Sequence, residues 1–528
     1  MSKKRSAAFE AAANHWAKKA KPVEGDKQDS IKQPENYDKG KASPIKLLYN
    51  PSYDDDVEDK VNIDTIKIST LLGANNISRA FHFNFNIELD FVLSLFHPNM
   101  IVNKVPITFI TGADILNNLN YDEETRHIIS KFNLSQVIAS LPNKFGTHHT
   151  KMMINFFDNN QVVEIVIMTS NYTKLDFGGL TQMLWKSEKL PKGETNTVKG
   201  KRFKFDLLNY LKKYNKPRIN KLVELLHDFN FLSVNVELLA SAPGIYDISH
   251  LTHDSETYGY GKLYQILKRN ELLNNDPNKT TNFLAQVTSI SYPFNISASQ
   301  TSSIFSHLLC PLVFSAHQPF QILPPGMRSS KNHQKLHNYK PHIVFPTVRE
   351  IAASNCGFTT GQAVHFNYTK THNHENQYEQ NIKPYLYKWN SSPSQSIISG
   401  RETVTPHVKL FLCDNDDEWK TLKWVLMGSH NLSKQAWGSP KGSKYTSGNP
   451  NVYEIASYEL GVVIVPEEDE KLIPTYGTDK CDESKSVAIR LPFVLPPEKY
   501  GIDDKPWSPH LNYDESIMDK FGNNYIFN

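Results

Sequence analysis

Two segments of this chain carry the same polar side chains in the same order. His149-Thr150-Lys151 is followed by Thr169-Ser170-Asn171, and His407-Val408-Lys409 by Ser429-His430-Asn431, with Lys-to-Asn gaps of 20 and 22 residues. A lone His-x-Lys in a chain with 20 histidines is a coincidence more often than not. Two copies in one context are hard to obtain by chance. Each His-x-Lys opens an apolar run (Met152 to Phe157; Leu410 to Leu412), and a second run (Ile165 to Met168; Trp424 to Met427) leads into the Asn. This predicts strand, turn, strand, loop, made twice. His and Lys at i and i+2 project to one face of a strand, and the Asn sits just past the neighbouring strand's end, where loops commonly carry functional groups. Two such trios facing across a pseudo-twofold axis supply one imidazole to attack phosphorus, one to donate a proton, and four groups to hold anionic oxygens. That is a metal-free phosphoryl-transfer site.

With these residues the chain resembles the phospholipase D superfamily. FGTHHTKMM, MTSN, GSHNLSKQAWG, SYELGVV and LPPEKYGIDDKPW together resemble the tyrosyl-DNA phosphodiesterases that process 3′ ends, from about residue 45 to near the C-terminus. The lipase branch adds an Asp five residues after each Lys; here Phe156 and Asp414 stand there, so only the second copy fits. The tyrosyl-DNA branch instead places a polar partner after each Asn, matched by Gln182 and Glu459. Asp414 then reads as a turn residue opening Asp414 to Glu418.

The resemblance implies cleavage of the bond between a topoisomerase tyrosine and a DNA 3′ end, leaving a 3′ phosphate, with other blocked ends as further expected substrates. It implies His149 as nucleophile and His407 as general acid, then base. Lys151, Lys409, Asn171 and Asn431 would hold the nonbridging oxygens, with Glu459 behind His149 and a neutral Gln182 orienting His407. Phe145 matches a base-stacking position, with a core Phe as the alternative. Ser433, Lys434 and the loop of Thr288, Ser289 and Ser291 match DNA-phosphate contacts, and Trp507 matches a residue near the peptide side of the cleft, with simple packing as the alternative. No cofactor or metal is expected. The implied partners are single-stranded or duplex DNA ends carrying a 3′-linked topoisomerase peptide, engaged by a monomer with no membrane role. A phospholipase D-like lipid phosphodiesterase is the alternative. A nonenzymatic nucleic-acid-binding repeat protein and a metal-dependent phosphodiesterase are weaker rivals.

The rest of the sequence sets the frame. At 528 residues the chain is long enough for two cores, and 39% hydrophobic residues suffice to fill them. No apolar stretch reaches membrane-spanning length. Cys310, Cys356, Cys413 and Cys481 form no CxxC pair, which points to a reducing compartment. The N-terminus has no signal-peptide core; Lys3-Lys4-Arg5 and Lys18-Lys19-Ala20-Lys21 instead resemble a bipartite nuclear localisation signal. A net charge of +3 is too small to prove a nucleic-acid partner, so the distribution of charge matters more. Arg328 to Lys340 holds four cations and no acid, and suits either a phosphate-tracking loop or a solvated one. His372-Asn373-His374-Glu375 reads as a hydrated loop.

Strands are predicted at Val105 to Thr111, Val137 to Leu141 and Val234 to Ala242, and helices at Phe205 to Lys213, Ile219 to Phe229 and Tyr260 to Leu272. Ser78 to Leu95 mixes both signals. The expected class is α/β: two similar phospholipase D-like α/β domains, each a mixed sheet flanked by helices, with pseudo-twofold symmetry and the active site at their interface. The expected divisions are a disordered basic tail at 1–44, a first domain at 45–231 and a second at 232–528.

Overall fold

The apolar runs beside both His-x-Lys segments form the centres of two sheets in a computed structural model that describes residues 40–53, 62–291, 334, 338–390, 397–440 and 452–527. In chain order the first path of strands is β1 (Ile45–Leu47), β2 (Ile77–Phe83), β3 (Pro106–Thr111), β4 (Asn133–Ile138), β5 (Met152–Phe157), β6 (Val162–Met168) and β7 (Met183–Lys186). The second is β8 (Glu237–Ser241), β9 (Thr281–Gln286), β10 (Tyr339–Val344), β11 (Leu386–Tyr387), β12 (Leu410–Asp414), β13 (Leu422–Gly428) and β14 (Glu459–Ile464). Their spatial orders are β1-β7-β6-β5-β2-β3-β4 and β8-β14-β13-β12-β9-β10-β11, the same permutation. The directions repeat too. Only β2–β3 and β3–β4, and their counterparts β9–β10 and β10–β11, are parallel along these paths. The duplication expected from the motifs thus extends to whole sheets, and the class is α/β.

The strands read as unbroken apolar runs because both faces of a sheet are covered. In β5, Met152, Ile154 and Phe156 enter a cluster that also takes in Leu238, Phe411 and Leu426 of the second sheet, while Met153 and Phe157 pack on the opposite face. The two sheets therefore share one core. Helix α1 (Val198–Lys212) adds Phe203, Leu207 and Leu211 to it at helical spacing, followed by α2 (Pro217–His227). α1 also reaches α3 (Tyr260–Arg269) through a buried ion pair, Lys262 Nζ to Asp206 at 2.7 Å, and Arg269 of α3 pairs with Glu237 of β8. Removing one partner of such a buried pair costs about 3–5 kcal/mol, so these charges hold the two sheets in one relative placement.

Several local expectations shift. Ser78 to Leu95 mixed its signals because it contains both β2 and a helix, Leu89–Ser94. β4 lies earlier than expected, and α1 begins well before Phe205 because its first turns are polar and carry no apolar period. His372 to Glu375 is not a loop. It opens the helix His372–Asn381, whose N-cap Thr371 accepts from the His374 amide, and the His374 ring bonds Thr371 Oγ1 at 2.6 Å. The last residues of the expected tail belong to the fold: Lys41 N donates to Ser486 O and Ser43 is buried. Residues 1–39, with both basic clusters, and 328–333 and 335–337 of the cationic segment lie outside the described residues.

At the ends of β13 and β14, Gly428 faces Gly461. A Cβ on Gly461 would stand 2.7 Å from Met427 O, and one on Gly428 would stand 2.8 Å from Gly461 Cα. This close approach seats Glu459, at the start of β14, beside the loop that follows β13. Gly461→Ala should therefore cost about 1–3 kcal/mol of stability, read from the denaturation midpoint. Activity of the folded fraction should fall with it; an unchanged midpoint would contradict this account of the packing.

Candidate active site

His149 and Lys151 lie in the extended segment leading into β5, and the ladder continues through Met168 N to Lys151 O at 3.0 Å. The expected alternation holds there. His148 and Thr150 turn inward to α1 and the residues beyond it: Thr150 Oγ1 meets Tyr210 OH at 2.5 Å, Tyr210 OH meets Tyr214 OH at 3.0 Å, and Tyr214 OH meets His148 Nε2 at 2.9 Å. His149 and Lys151 occupy the other face. His407 and Lys409 precede β12 in the same way, with Gly428 N donating to Lys409 O.

The segments before the two histidines pair across the molecule. His149 N donates to Tyr458 O and Tyr458 N to Thr147 O, both at 2.9 Å, while His407 N donates to Thr181 O at 3.0 Å and Thr405–Pro406 runs parallel to Leu180–Thr181. Each polar partner is thereby delivered to the other copy's histidine. Glu459 Oε2 lies 2.8 Å from His149 Nδ1 and accepts from Ser429 Oγ at 2.5 Å. Gln182 Nε2 lies 3.0 Å from His407 Nδ1, and its Oε1 accepts from Thr169 Oγ1 at 2.6 Å.

The amide behind His407 is not alone, which corrects the expectation of a purely neutral partner. Asp176 Oδ1 stands 3.2 Å from His407 Nδ1 and accepts from Gln182 Nε2 at 2.9 Å and from Asn171 N at 2.7 Å. Sequence reasoning missed Asp176. Its signal was local: an acid three residues after Thr173, the N-cap of the helix Lys174–Gly178, where the second copy has Ala436 after its own cap, Ser433. Phe85 was also missed as a cleft residue. It is 47% exposed, edge-on to His149 at 5.2 Å and beneath Lys151 Nζ at 5.4 Å.

The lysines curl back onto their own strands: Lys151 Nζ donates to His149 O at 2.9 Å and Lys409 Nζ to His407 O at 2.6 Å, leaving hydrogens for a ligand. Asn431 Oδ1 accepts from the amides of Thr288 and Ser289 at 3.2 and 3.0 Å, which frees its Nδ2 to donate. Asn171 gives Nδ2 to Asp176 Oδ2 at 3.4 Å. Burial pushes Lys151 down to about 8 against the pull of Glu459 and Asp176, and pushes Lys409 well below the usual lysine range, with Lys151 adding to the effect. Burial also lowers His149, against Glu459, and takes His407 down to about 4, with Lys409 lowering it further and Asp176 opposing. For Glu459 and Asp176, burial raises the pKa, but the facing histidines and hydrogen-bond donors outweigh it and keep both carboxylates ionised.

Phe145 is 65% exposed, with Lys144 Nζ 5.2 Å from its ring centroid. Ser289 and the half-buried Lys434 flank Asn431, while the Ser433 hydroxyl caps the helix Lys434–Trp437. Trp507 is fully buried, stacked on Phe358 and donating Nε1 to Gly361 O, so it packs rather than faces the cleft. Phe156 is buried in the core, and Asp414 accepts from Trp419 N at 2.8 Å, which makes it the turn residue expected.

The sequence matches the family described as "Tyrosyl-DNA phosphodiesterase" over residues 45–501. It is 26% identical to a probable tyrosyl-DNA phosphodiesterase of Schizosaccharomyces pombe, over 85% of this chain and 90% of that one. It is also 26% identical to tyrosyl-DNA phosphodiesterase 1 of Saccharomyces cerevisiae, over 80% and 77%. The fold is similar to the crystal structure of the yeast tyrosyl-DNA phosphodiesterase, with a TM-score of 0.65 at 24% identity, covering 88% of this chain and 99% of that one. With its family match spanning both His-x-Lys copies and both sheets, the chain belongs to the tyrosyl-DNA phosphodiesterase family.

Proposed function

We propose that this chain hydrolyses the phosphodiester between a topoisomerase tyrosine and a DNA 3′ end through a covalent phosphohistidine, leaving a 3′ phosphate, and so acts in DNA repair. One observation carries the assignment of roles. Both histidines are held at Nδ1 by groups from across the molecule, His149 by Glu459 and His407 by Gln182 and Asp176, which leaves both Nε2 atoms for substrate between two buried lysines.

His149, neutral because it is buried, donates Nδ1–H to Glu459 and attacks phosphorus with its Nε2 lone pair. The P–N bond forms as the P–O bond to tyrosine breaks, and the phenolate takes the Nε2 proton of His407. Glu459 offsets the positive charge that His149 acquires. In the second step His407 Nε2 accepts a proton from water, whose oxygen displaces His149 from phosphorus. Two inversions give net retention. Lys151, Lys409, Asn171 and Asn431 hold the nonbridging oxygens as charge builds. The two halves, 45–231 and 232–528, each supply one trio.

On the DNA side, the exposed Phe145 suits stacking on an unpaired terminal base, while Ser289, Ser433 and Lys434 suit phosphate contacts that ignore sequence. This favours a single-stranded or frayed 3′ end, handled by a monomer. The paired basic clusters near the N-terminus support nuclear localisation.

The enzyme in EDTA should convert a single-stranded oligonucleotide ending in 3′-phosphotyrosine to the 3′ phosphate. His407→Ala should lose about 10²–10⁴-fold in rate and His149→Ala at least as much, with DNA binding retained by both. Dependence on added metal would contradict the proposed chemistry.

Burial lowers the pKa of the cleft's lysines and histidines, and an incoming phosphate supplies counter-charge that raises the pKa of each one facing it. Binding of an oligonucleotide 3′ phosphate at pH 8 should therefore take up protons. Affinity should rise as pH falls from 9 to 7, by at most about tenfold per pH unit for each proton taken up. Calorimetry in buffers of different ionisation enthalpy reads this directly; proton release would contradict it.

A further inference from the structure

Beyond the roles above, we propose that Asp176 is the positioning residue that holds the Nδ1 proton of His407, so that Gln182 serves mainly to hold Asp176. The inference rests on His407 being the acid and base of the reaction. Its starting point is the chemistry of the amide. Gln182 Oε1 accepts from Thr169 Oγ1 at 2.6 Å and stands 3.4 Å from His407 Nδ1, beyond the Nε2 donor at 3.0 Å, so the nearer group facing His407 is a donor. A donor cannot accept a proton from Nδ1. Asp176 Oδ1, 3.2 Å away, can, and the same oxygen takes the Gln182 hydrogen at 2.9 Å.

This choice decides which nitrogen does the work. With Nδ1–H directed at Asp176, the imidazolium that protonates tyrosine loses its Nε2 proton and keeps Nδ1–H. It is left as the neutral tautomer whose Nε2 lone pair then takes a proton from water. One carboxylate therefore serves both steps without itself being protonated, as the buried carboxylate behind a catalytic imidazole does elsewhere. Gln182 alone would favour the opposite neutral tautomer, with the lone pair on Nδ1 and nothing to stabilise the imidazolium.

The duplication shows how the sites were balanced. At the partner positions the two copies have Gln182 and Glu459; at the position three beyond the helix caps they have Asp176 and Ala436. Each copy thus has one carboxylate, placed differently, and each histidine faces one. Asp176 also ties the acid to the oxyanion site, because it accepts from both Asn171 N and Asn171 Nδ2.

The test compares two leaving groups on the same oligonucleotide 3′ end: tyrosine, which needs a proton, and 4-nitrophenol, which departs readily as the anion. Asp176→Asn should slow tyrosine release about 100-fold while slowing 4-nitrophenol release less than tenfold. Asp176→Asn combined with Gln182→Glu, which moves the carboxylate to the other group at Nδ1, should recover at least tenfold on tyrosine. Equal losses on both leaving groups with no recovery in the double variant would reduce Asp176 to a structural cap and overturn the proposal, as would a tyrosine rate equal to wild type. If wild type itself released neither group, the assigned reaction would fall rather than the role of Asp176.

Discussion

At the centre of the molecule the backbone of each copy hydrogen-bonds to the backbone of the other, Thr147 to His149 against Tyr458 and Thr405 to His407 against Leu180 and Thr181. These two pairings are short, but they fix which side chains meet. Pairing the lead-in of each histidine with the lead-in of the opposite partner brings Glu459 to His149 and Gln182 to His407, and a slip of one residue would turn the wrong face inward. The exchange makes the site a property of both sheets together. The sheets also share one core, and the buried Lys262–Asp206 pair joins α3 to α1 across them.

The second constraint is electrostatic. Lys151 and Lys409 are both buried in one cleft, where an uncompensated ammonium is costly. Glu459 and Asp176 offset them, but at a distance, through the histidines. The result is a cleft held ready for one more negative charge at the point where the nonbridging oxygens of a phosphodiester would sit. The tyrosine network behind Thr150 plays a mechanical part: Tyr210 and Tyr214 hold His148 and Thr150 from behind, so the intervening His149 has little freedom to turn.

Much of this was legible in the sequence because it is written locally. His149, Lys151 and Asn171, and their second copies, follow from strand alternation and from the length of a strand pair. Gln182 and Glu459 were found through family resemblance, and the structure places each against the expected histidine. Asp176 was hidden because an acid after a helix cap has an ordinary local explanation, and only the fold carries it across to His407, 231 residues away in the chain. Trp507 stood open in the sequence between the peptide side of the cleft and packing, because a motif says which residues recur, not which way an aromatic faces; here Phe358, Tyr513 and Tyr525 enclose it. Phe85 looked like one more apolar residue in an alternating stretch, yet it lies beyond the end of β2, where the chain leaves the sheet beside His149.

The central claim is that one imidazole of the pair is a nucleophile and the other is not. Because His407 is the base of the second step, the His407→Ala enzyme should slow breakdown of the intermediate, so its reaction with the phosphotyrosyl oligonucleotide can be stopped with alkali, under which a phosphohistidine survives, and digested for mass spectrometry. The account predicts a peptide containing His149 that carries the oligonucleotide through its 3′ phosphate, with tyrosine lost. Absence of any adduct while tyrosine is released, or an adduct on a residue other than His149, would contradict it.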